Sequence, residues 1–416
     1  MIKHDVSVGK LEYCQISGSR NLFEAIDLGF QPPCGTLLTE DTVGNPETYY
    51  PLRLMICPES GLGQLDYVLG NEFCFPVDYS YRPGISVPLV EHLKKLAFRT
   101  VSDYKLKPGS LVVDVGSNDG TLLSFFKKKG MKVLGVEPTN MAKMAKEDGI
   151  TTIQDFFTER RAKRIVKKYG RAKIITMTNV FAHMADLGEV MRGIAILLDK
   201  KGVVVSESQY LLDVFERNQF DEIYHDHIRI YSLKSLTKLF PYYGMEVFDA
   251  KRVQTREGSI EVHAGWKGEY PISPNVGRLL KAEEDVDLFS PKGWSKFRKR
   301  VVKQKDKFLE LVGKIKKKGL KIVADSCPTR GVVLLNYYGL GKDILPYVSQ
   351  LPKTEKIGKF IPGTRNPIIS NEIILKEQPD YILILAWHYD DYIIKNWKAK
   401  GVKSKFVIPL PEFKII

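Results

Sequence analysis

Two histidines fall within the four residues Tyr224-His225-Asp226-His227, in a chain of 416 residues that has seven histidines in all. Imidazole titrates near neutral pH, so His227 can take a proton and give it back. Asp226 beside it can orient a neighbouring ring or raise its basicity. On an extended segment His225 and His227 would point the same way, which leaves a metal pair as one alternative and a purely structural His225 as the plainer one. His183, in Asn-Val-Phe-Ala-His-Met, follows a predicted strand at Ile174–Met177 and would enter a pocket from the sheet's carboxyl edge.

A pocket built from backbone is legible upstream. Residues 111–140, LVVDVGSNDGTLLSFFKKKGMKVLGVEPTN, read as a buried strand (Leu111–Asp114), a glycine turn, a helix and a second strand ending at Glu137. Gly116 and Gly120 let the chain pass close to a ligand with no Cβ in the way, and Glu137 can take both hydroxyls of a ribose. The turn is DxGxxxG, wider than GxGxxG and flanked by Asp114 and Asp119. It suits a ligand that carries a positive charge and no pyrophosphate, and S-adenosylmethionine is such a ligand. The plainer alternative is a strand–turn–helix with incidental glycines; agreement of turn, helix and downstream acid favours the pocket.

These residues need a frame. With 44% hydrophobic residues the chain can bury more than one core. Residues 1–75 read as short strands and turns. Residues 76–255 alternate helix and strand: helix Lys94–Val101, the glycine-turn unit, strand Ile174–Met177, helix Leu187–Leu198 and strand Val203–Glu207. That alternation predicts an α/β domain, Rossmann-like and doubly wound, with its ligand at the carboxyl ends of the strands. Residues 256–416 form a third unit. It opens with a charged helical stretch, Pro271–Lys318, stopped at Gly319. A second Rossmann-like α/β arrangement follows, with strands Lys321–Ala324, Ile344–Val348 and Tyr381–Leu385, and Phe406–Ile408 as the last.

The net charge of +14 has two readings, a phosphate-rich partner or a lysine-rich wet surface. The runs Lys127–Lys129, Arg298–Lys307 and Lys314–Lys318 lie in helical patterns with apolar residues between, and read as solvated helix faces. No nucleic-acid recognition motif accompanies them. No apolar run approaches the roughly 20 residues that span a bilayer. The start, MIKHDVSVGK, lacks the apolar core of a secretory signal, so a cytoplasmic protein is expected, as a monomer or a dimer. Five cysteines do not read as a disulfide framework.

Four of those cysteines stand in the first 75 residues. Cys14-Gln-Ile-Ser17-Gly and Cys57-Pro-Glu-Ser60-Gly have the shape of two zinc knuckles with serine at the second ligand position of each. A structural zinc wants four thiolate or imidazole ligands, and a neutral hydroxyl is a poor one. Cys14 and Cys57 are therefore weak metal candidates, and the spacing of Cys34 and Cys74 does not predict that they make up the set. A small domain that keeps the knuckle fold by packing and hydrogen bonds is expected.

Taken in order, the motifs resemble the S-adenosylmethionine-dependent sugar C-methyltransferases that make branched deoxysugars. The resemblance runs nearly the whole length. It comprises the two knuckle remnants, DYSYRPGISVPLVEHLKKL, the glycine-turn segment, TNVFAHMADL, SESQYLL and FDEIYHDHIRIYS. In the C-terminal third it continues with RGVVLLNYYGL, KIGKFIPGTRNPI and PDYILILAWHYDDYI. It implies a nucleoside-diphosphate-linked 4-keto-deoxysugar as substrate, of dTDP or GDP type. The ketone acidifies the neighbouring C–H, a base removes that proton, and the resulting carbon nucleophile is methylated.

On this resemblance His227 is the base, matching a Tyr-x-Glu-His pattern with Asp226 in place of glutamate. Tyr224 would bond near the keto oxygen. His183 is a second substrate-contacting histidine, and Tyr79 comes from the approach segment with Tyr81 as its nearest rival. Asp114, Gly116 and Gly120 would surround the methionine and ribose of the donor, and Glu137 would take the ribose hydroxyls. Asp155 and Phe156 sit where such folds hold adenine, and Asn179 would reach the methionine end. The C-terminal unit would clamp the nucleotide. Arg330 and Gly331 open a predicted helix there, where N–H groups attract phosphate. Asn336 in the same motif, with Lys359 and Arg365 around Pro362-Gly363-Thr364, completes the substrate set.

Two departures from the family pattern stand out: Arg256-Glu257-Gly258-Ser259 in place of His-Gly-Gly-Ser, and Cys327-Pro328 with Arg330 where the family's loop carries small residues and a lysine. They keep two other readings open. One is the same fold methylating another position, O-, N- or another carbon, of a nucleotide sugar; the other is a catalytically silent nucleotide-sugar- or RNA-binding protein.

Overall fold

The computed structural model describes residues 5, 7–70, 81–352 and 354–416. Its largest sheet has seven strands: β1 (Leu111–Val115), β2 (Lys132–Val136), β3 (Thr152–Ile153), β4 (Ala172–Thr178), β5 (Leu198–Gln209), β6 (Met245–Val253) and β7 (Ser259–Trp266). Their order is β3-β2-β1-β4-β5-β7-β6. The first five run parallel, and β7 runs antiparallel to both β5 and β6. β1 reads LVVDV with every residue buried, the pattern of a strand covered on both faces. Helix Val87–Asp103 supplies part of that cover through Leu89, Leu93, Leu96, Ala97 and Thr100, one stripe at helical spacing. The strand order reverses between β1 and β4, which opens a crevice at their carboxyl ends.

The doubly wound expectation holds, and an antiparallel hairpin extends it. β7 lies beyond the expected boundary at 255/256 and still pairs within this sheet, Glu207 opposite Glu261. β5 is longer than the Val203–Glu207 expected, because it continues to Gln209 before turning into helix Leu211–Glu216.

A four-stranded antiparallel sheet gathers the N-terminal residues in the order Arg229–Ile230, Gly63–Leu65, Tyr50–Ile56, Phe23–Gln31. Its edge strand comes from the middle of the chain, just past the histidine motif. Arg229 pairs with Gln64, and the Ile228 carbonyl accepts from Leu65 N–H at 2.9 Å. The histidine loop is thereby held between two sheets.

The C-terminal sheet runs Ile368–Ser370, Val348–Gln350, Ile322–Asp325, Tyr381–Ile384, Lys405–Ile408, Lys414–Ile415. Two expectations are corrected here. The strand placed at Ile344–Val348 begins only at Val348, because Lys342–Ile344 form a turn after Gly341. Phe406–Ile408 is not last, since Lys414–Ile415 returns antiparallel beside it.

The charged helical stretch is two helices, Pro274–Asp285 and Pro291–Lys317, each opened by a serine whose side chain accepts a backbone N–H. Gly319 follows at φ 64°, a left-handed stop. The second helix is not simply a wet basic face. Arg298 donates to the Ala25 carbonyl at 2.8 Å and Arg300 to Asn218 Oδ1 at 2.7 Å, so it ties the first two units together. Among the described residues no helix is long and apolar enough to cross a membrane.

Candidate active site

The catalytic candidates converge because a turn separates them. His227 N–H donates to the Tyr224 carbonyl at 2.9 Å, closing a turn over His225 and Asp226. The segment is therefore not extended, and the two imidazoles part company. His225 faces the N-terminal sheet, with Nε2 at 3.3 Å from the Pro51 carbonyl, and burial pushes its pKa down to about 4. It is a neutral packing residue, and the metal-pair alternative fails on this geometry.

His227 points the other way and is 1% exposed. Its Nδ1–H donates to the Glu222 carbonyl at 2.7 Å, so Nε2 carries the lone pair. That lone pair meets the Tyr224 hydroxyl at 2.8 Å, with the Gln209 amide nitrogen at 3.1 Å. His183 stands in the turn Phe181–His183 after β4, its ring 4.8 Å from that of His227. Its Nδ1–H donates to the Asp226 carbonyl at 2.7 Å. Asp226 thus orients a ring through its backbone. Two imidazoles and a phenol are held in register by carbonyls. Tyr79 and Cys74 lie outside the described residues.

The glycine turn is close by. Gly116 sits at φ 73°, and a Cβ there would come within 2.4 Å of Val180, three residues before His183. Gly120, at φ 77°, would press a Cβ to 3.1 Å from Ile150. Asp114 is buried in β1, bonded by the Thr176 hydroxyl at 2.6 Å, and burial raises its pKa to about 7. Glu137 lies just after β2. Its carboxylate accepts from Asn118 N–H at 2.9 Å and from the Thr139 hydroxyl at 2.6 Å, which shapes the turn before any ligand arrives. Oε1 also accepts Thr139 N–H at 2.9 Å, so the capacity left for a ribose hydroxyl is on Oε2, which among the described residues accepts only from Asn118.

Asn179, at φ 55°, has its side-chain oxygen buried with no hydrogen-bond partner among the described residues, a seat for a cationic amine. Phe156 leaves 48% of its surface exposed, as an aromatic that stacks on a flat ring must. Asp155 forms an ion pair with Arg161 and accepts from Phe156 N–H at 2.9 Å, which fixes the loop. Tyr81 contributes its carbonyl to Asn118 Nδ2 at 3.0 Å and so covers the turn. The residues present fit S-adenosylmethionine.

The expected phosphate clamp is corrected. The guanidinium of Arg330 is 5% exposed and points away from solvent, with Nε and Nη2 on the two oxygens of Asp221 at 2.8 Å and Nη1 on Glu222 at 2.7 Å. Gly331 N–H is taken by the Pro328 carbonyl at 2.9 Å, and the missing Cβ makes room for Leu385. Asn336 holds the Pro362 carbonyl at 3.0 Å, and Arg365 pairs with Glu47 at 3.0 Å. These two brace the C-terminal unit. Arg365 also lines a cavity of about 690 Å³ with Lys342 and Asp343. Lys359 is half-buried, its carbonyl accepting from Ile368 N–H at 2.8 Å. At the Cys327 carbonyl stands the ammonium of Lys356, 2.7 Å away.

Sequence reasoning passed over one pair. His92 Nε2 lies 2.7 Å from Glu207. Burial opposes the charge on this ring, yet the Glu207 hydrogen bond and the charges of Glu207 and Glu261 together outweigh it and raise the pKa. His92 lines a cavity of about 310 Å³ with Thr255, Glu257, His388 and Tyr389, from three separate stretches of chain. Glu207 was within a quoted motif, but its partner is 115 residues away and no local signal joins them.

In the knuckle, Cys14 Sγ meets Ser60 Oγ at 3.1 Å and Cys57 Sγ meets Ser17 Oγ at 3.6 Å. The bond between the two thiols holds Cys57 down to about 5 and pushes Cys14 up. Cys34 is buried against His225 and Asp226 instead. Among the described residues no three of His, Cys, Asp and Glu cluster as ligands. Two thiols and two hydroxyls already bonded to one another do not fit a structural zinc.

Strand order, glycine turn, the acid after β2 and the paired histidines define an S-adenosylmethionine-dependent methyltransferase. Comparison with known proteins agrees. Family profiles match residues 14–75 as a zinc binding domain, 89–250 as a methyltransferase domain and 254–411 as a C-methyltransferase C-terminal domain. C-methyltransferase NovU of Streptomyces niveus is 31% identical over 412 residues, 98% of each chain. The chain belongs to this C-methyltransferase family. Among solved structures, an S-adenosylmethionine-dependent methyltransferase from Anabaena variabilis is similar at 15% identity and a TM-score of 0.35, over 42% of this chain and 85% of that one. Magnesium protoporphyrin IX methyltransferase from Synechocystis is similar at 16% identity and 0.33, over 43% and 80%.

Proposed function

We propose that this C-methyltransferase acts on the carbon next to the ketone, C-3, of a nucleoside-diphosphate-linked 4-keto-deoxysugar, with His227 as general base. The observation that carries this is the tautomer. A carbonyl holds the proton on Nδ1, leaving Nε2 as a buried lone pair whose partner is the Tyr224 hydroxyl.

When substrate enters, the phenol can turn its proton to the keto oxygen, which unmasks Nε2 for the adjacent C–H. The two moves are coupled: the hydroxyl that capped the base now stabilises negative charge developing on oxygen. His183, its ring close to that of His227, offers a second hydrogen bond to the sugar. The donor supplies an electrophilic methyl on a sulfonium. The chain's own tasks are to hold that group at Gly116, Gly120, Glu137 and Asn179, to keep water out and to carry the proton away on imidazole. With Arg330 turned inward, the nucleotide is assigned to other surfaces of the C-terminal unit, residues 256–416, where Lys356, Lys359 and Arg365 supply positive charge. A nucleoside diphosphate of dTDP or GDP type fits that charge, and such substrates place the reaction in the cytoplasm.

The test is incubation with labelled S-adenosylmethionine and a panel of nucleotide sugars with and without the 4-keto group, followed by mass spectrometry. Label is expected on carbon and only with the keto sugars. Transfer to sugars lacking the ketone would favour O- or N-methylation and remove the proposal.

A further inference from the structure

We propose that Arg330, from the C-terminal unit, is a positioning residue for the base: through Glu222 it sets the orientation and proton affinity of His227. The proposal rests on reading His227 as the base. The connection is direct and short. Arg330 opens helix Thr329–Tyr338 and reaches the loop that carries the histidine motif. Its guanidinium carbon lies over Trp387, 4.5 Å from the ring centroid, and that indole N–H donates to Asp221 at 2.8 Å. With Asp221 holding the fork on one side, Nη1 meets Glu222 Oε1 at 2.7 Å. The other oxygen of Glu222 stands 3.6 Å from His227 Nδ1, and the Glu222 backbone carbonyl takes the proton on that nitrogen. Arg330, Asp221, Glu222 and His227 are each at most 5% exposed, so water screens little of this.

The charges make the arrangement purposeful. Two carboxylates against one guanidinium leave one negative charge uncompensated beside the ring. An imidazolium, the form His227 takes after abstracting a proton, neutralises it. Among the described residues the other groups around the ring are Tyr224 and Gln209 at Nε2, His183 beside it and Asp226 through its carbonyl toward His183. Among these, Glu222 is the carboxylate at Nδ1, and Arg330 is the cation that limits its effect. Arg330, which pairs with Glu222, and Trp387, which packs on Arg330, both come from the C-terminal unit, so the base is complete only when that unit is docked.

The test is an NMR titration of His227 in full-length protein labelled at histidine Cε1, alongside the pH dependence of kcat. Two variants should move it in opposite directions. Glu222→Gln removes the negative charge and should lower the titration by about one pH unit. Arg330→Gln leaves the carboxylates unopposed and should raise it by a similar amount, the imidazole being the more basic group. Arg330→Lys keeps the charge without the fork and should titrate close to wild type while lowering kcat about tenfold; it also serves if Arg330→Gln does not fold. Opposite shifts support the proposal. Unchanged titrations in Glu222→Gln and in whichever Arg330 variant folds, with kcat reduced, would mean packing alone and overturn it. Shifts in titration that kcat does not follow would leave the coupling standing and remove His227 as the base.

Discussion

At His227 the decisive fact is a proton already committed. A ring whose Nδ1 is tied to a carbonyl has one basic nitrogen, and its direction is fixed by the backbone of Glu222. The Tyr224 hydroxyl on Nε2 keeps that nitrogen from water until a better acceptor for the phenol's proton arrives. Tyr224→Phe therefore has two opposed effects. On the proposed mechanism the base is uncapped, but the growing oxyanion loses its donor, and loss of such a donor costs about 10²–10³ in kcat. A steady-state assay should show kcat reduced by about that factor with little change in KM for the donor; an undiminished kcat would exclude the phenol from the reaction. The histidine motif was legible as residue types, and its tautomers were not. Nothing in Tyr-His-Asp-His says that a turn sends His225 to Pro51 and His227 to Gln209, because those partners lie 174 and 18 residues away.

Single elements explain where sequence reasoning held and where it slipped. β1 was legible because five buried residues in a row leave no choice of face. The hairpin of β6 and β7 was cut at an expected boundary, since its turn at Thr255–Glu257 looks like a linker while its pairing joins residues of one sheet. That hairpin carries a buried polar knot. Glu261 on β7 accepts from Arg99 at 2.6 Å and lies 2.9 Å from Lys251 and 2.7 Å from His263. Burial would raise its pKa, yet the His263 bond and the surrounding charges hold it down to about 2 against an ordinary 4.5. A depressed carboxylate contributes stability that is fully present above pH 4.5 and lost as pH falls toward 2. The difference corresponds to about 3 kcal/mol. Denaturant unfolding of the wild type should weaken by about that amount across the window, and Glu261→Gln should be less stable at pH 7 and flatter below pH 4.5. A variant as stable as wild type at pH 7 would show that the knot adds nothing.

Taken whole, the proposed reaction centre draws on the three larger sheets of the molecule. The seven-stranded sheet carries the glycine turn, the N-terminal sheet anchors the histidine loop through Arg229–Ile230, and the C-terminal helix brings Arg330 behind the proposed base. Arg330 was expected on phosphate because a helix start with arginine is a common phosphate seat; its acidic partners 108 and 109 residues earlier were invisible as such. In the knuckle, the Cys14–Ser60 and Cys57–Ser17 contacts put hydroxyls where a structural zinc wants thiolates. Elemental analysis of purified protein should find zinc well below one per chain, and a chelator should leave the melting temperature unchanged; a chelator-induced drop would restore the metal. The central claim concerns proton abstraction, and hydrogen exchange reads it without methyl transfer. Protein and a nucleotide 4-keto-deoxysugar are mixed in deuterium oxide with no methyl donor, and deuterium at the carbon beside the ketone is followed by NMR. Wild type is expected to wash deuterium in, and His227→Ala to do so at the rate of the sugar alone. Wild-type exchange in His227→Ala would contradict the account.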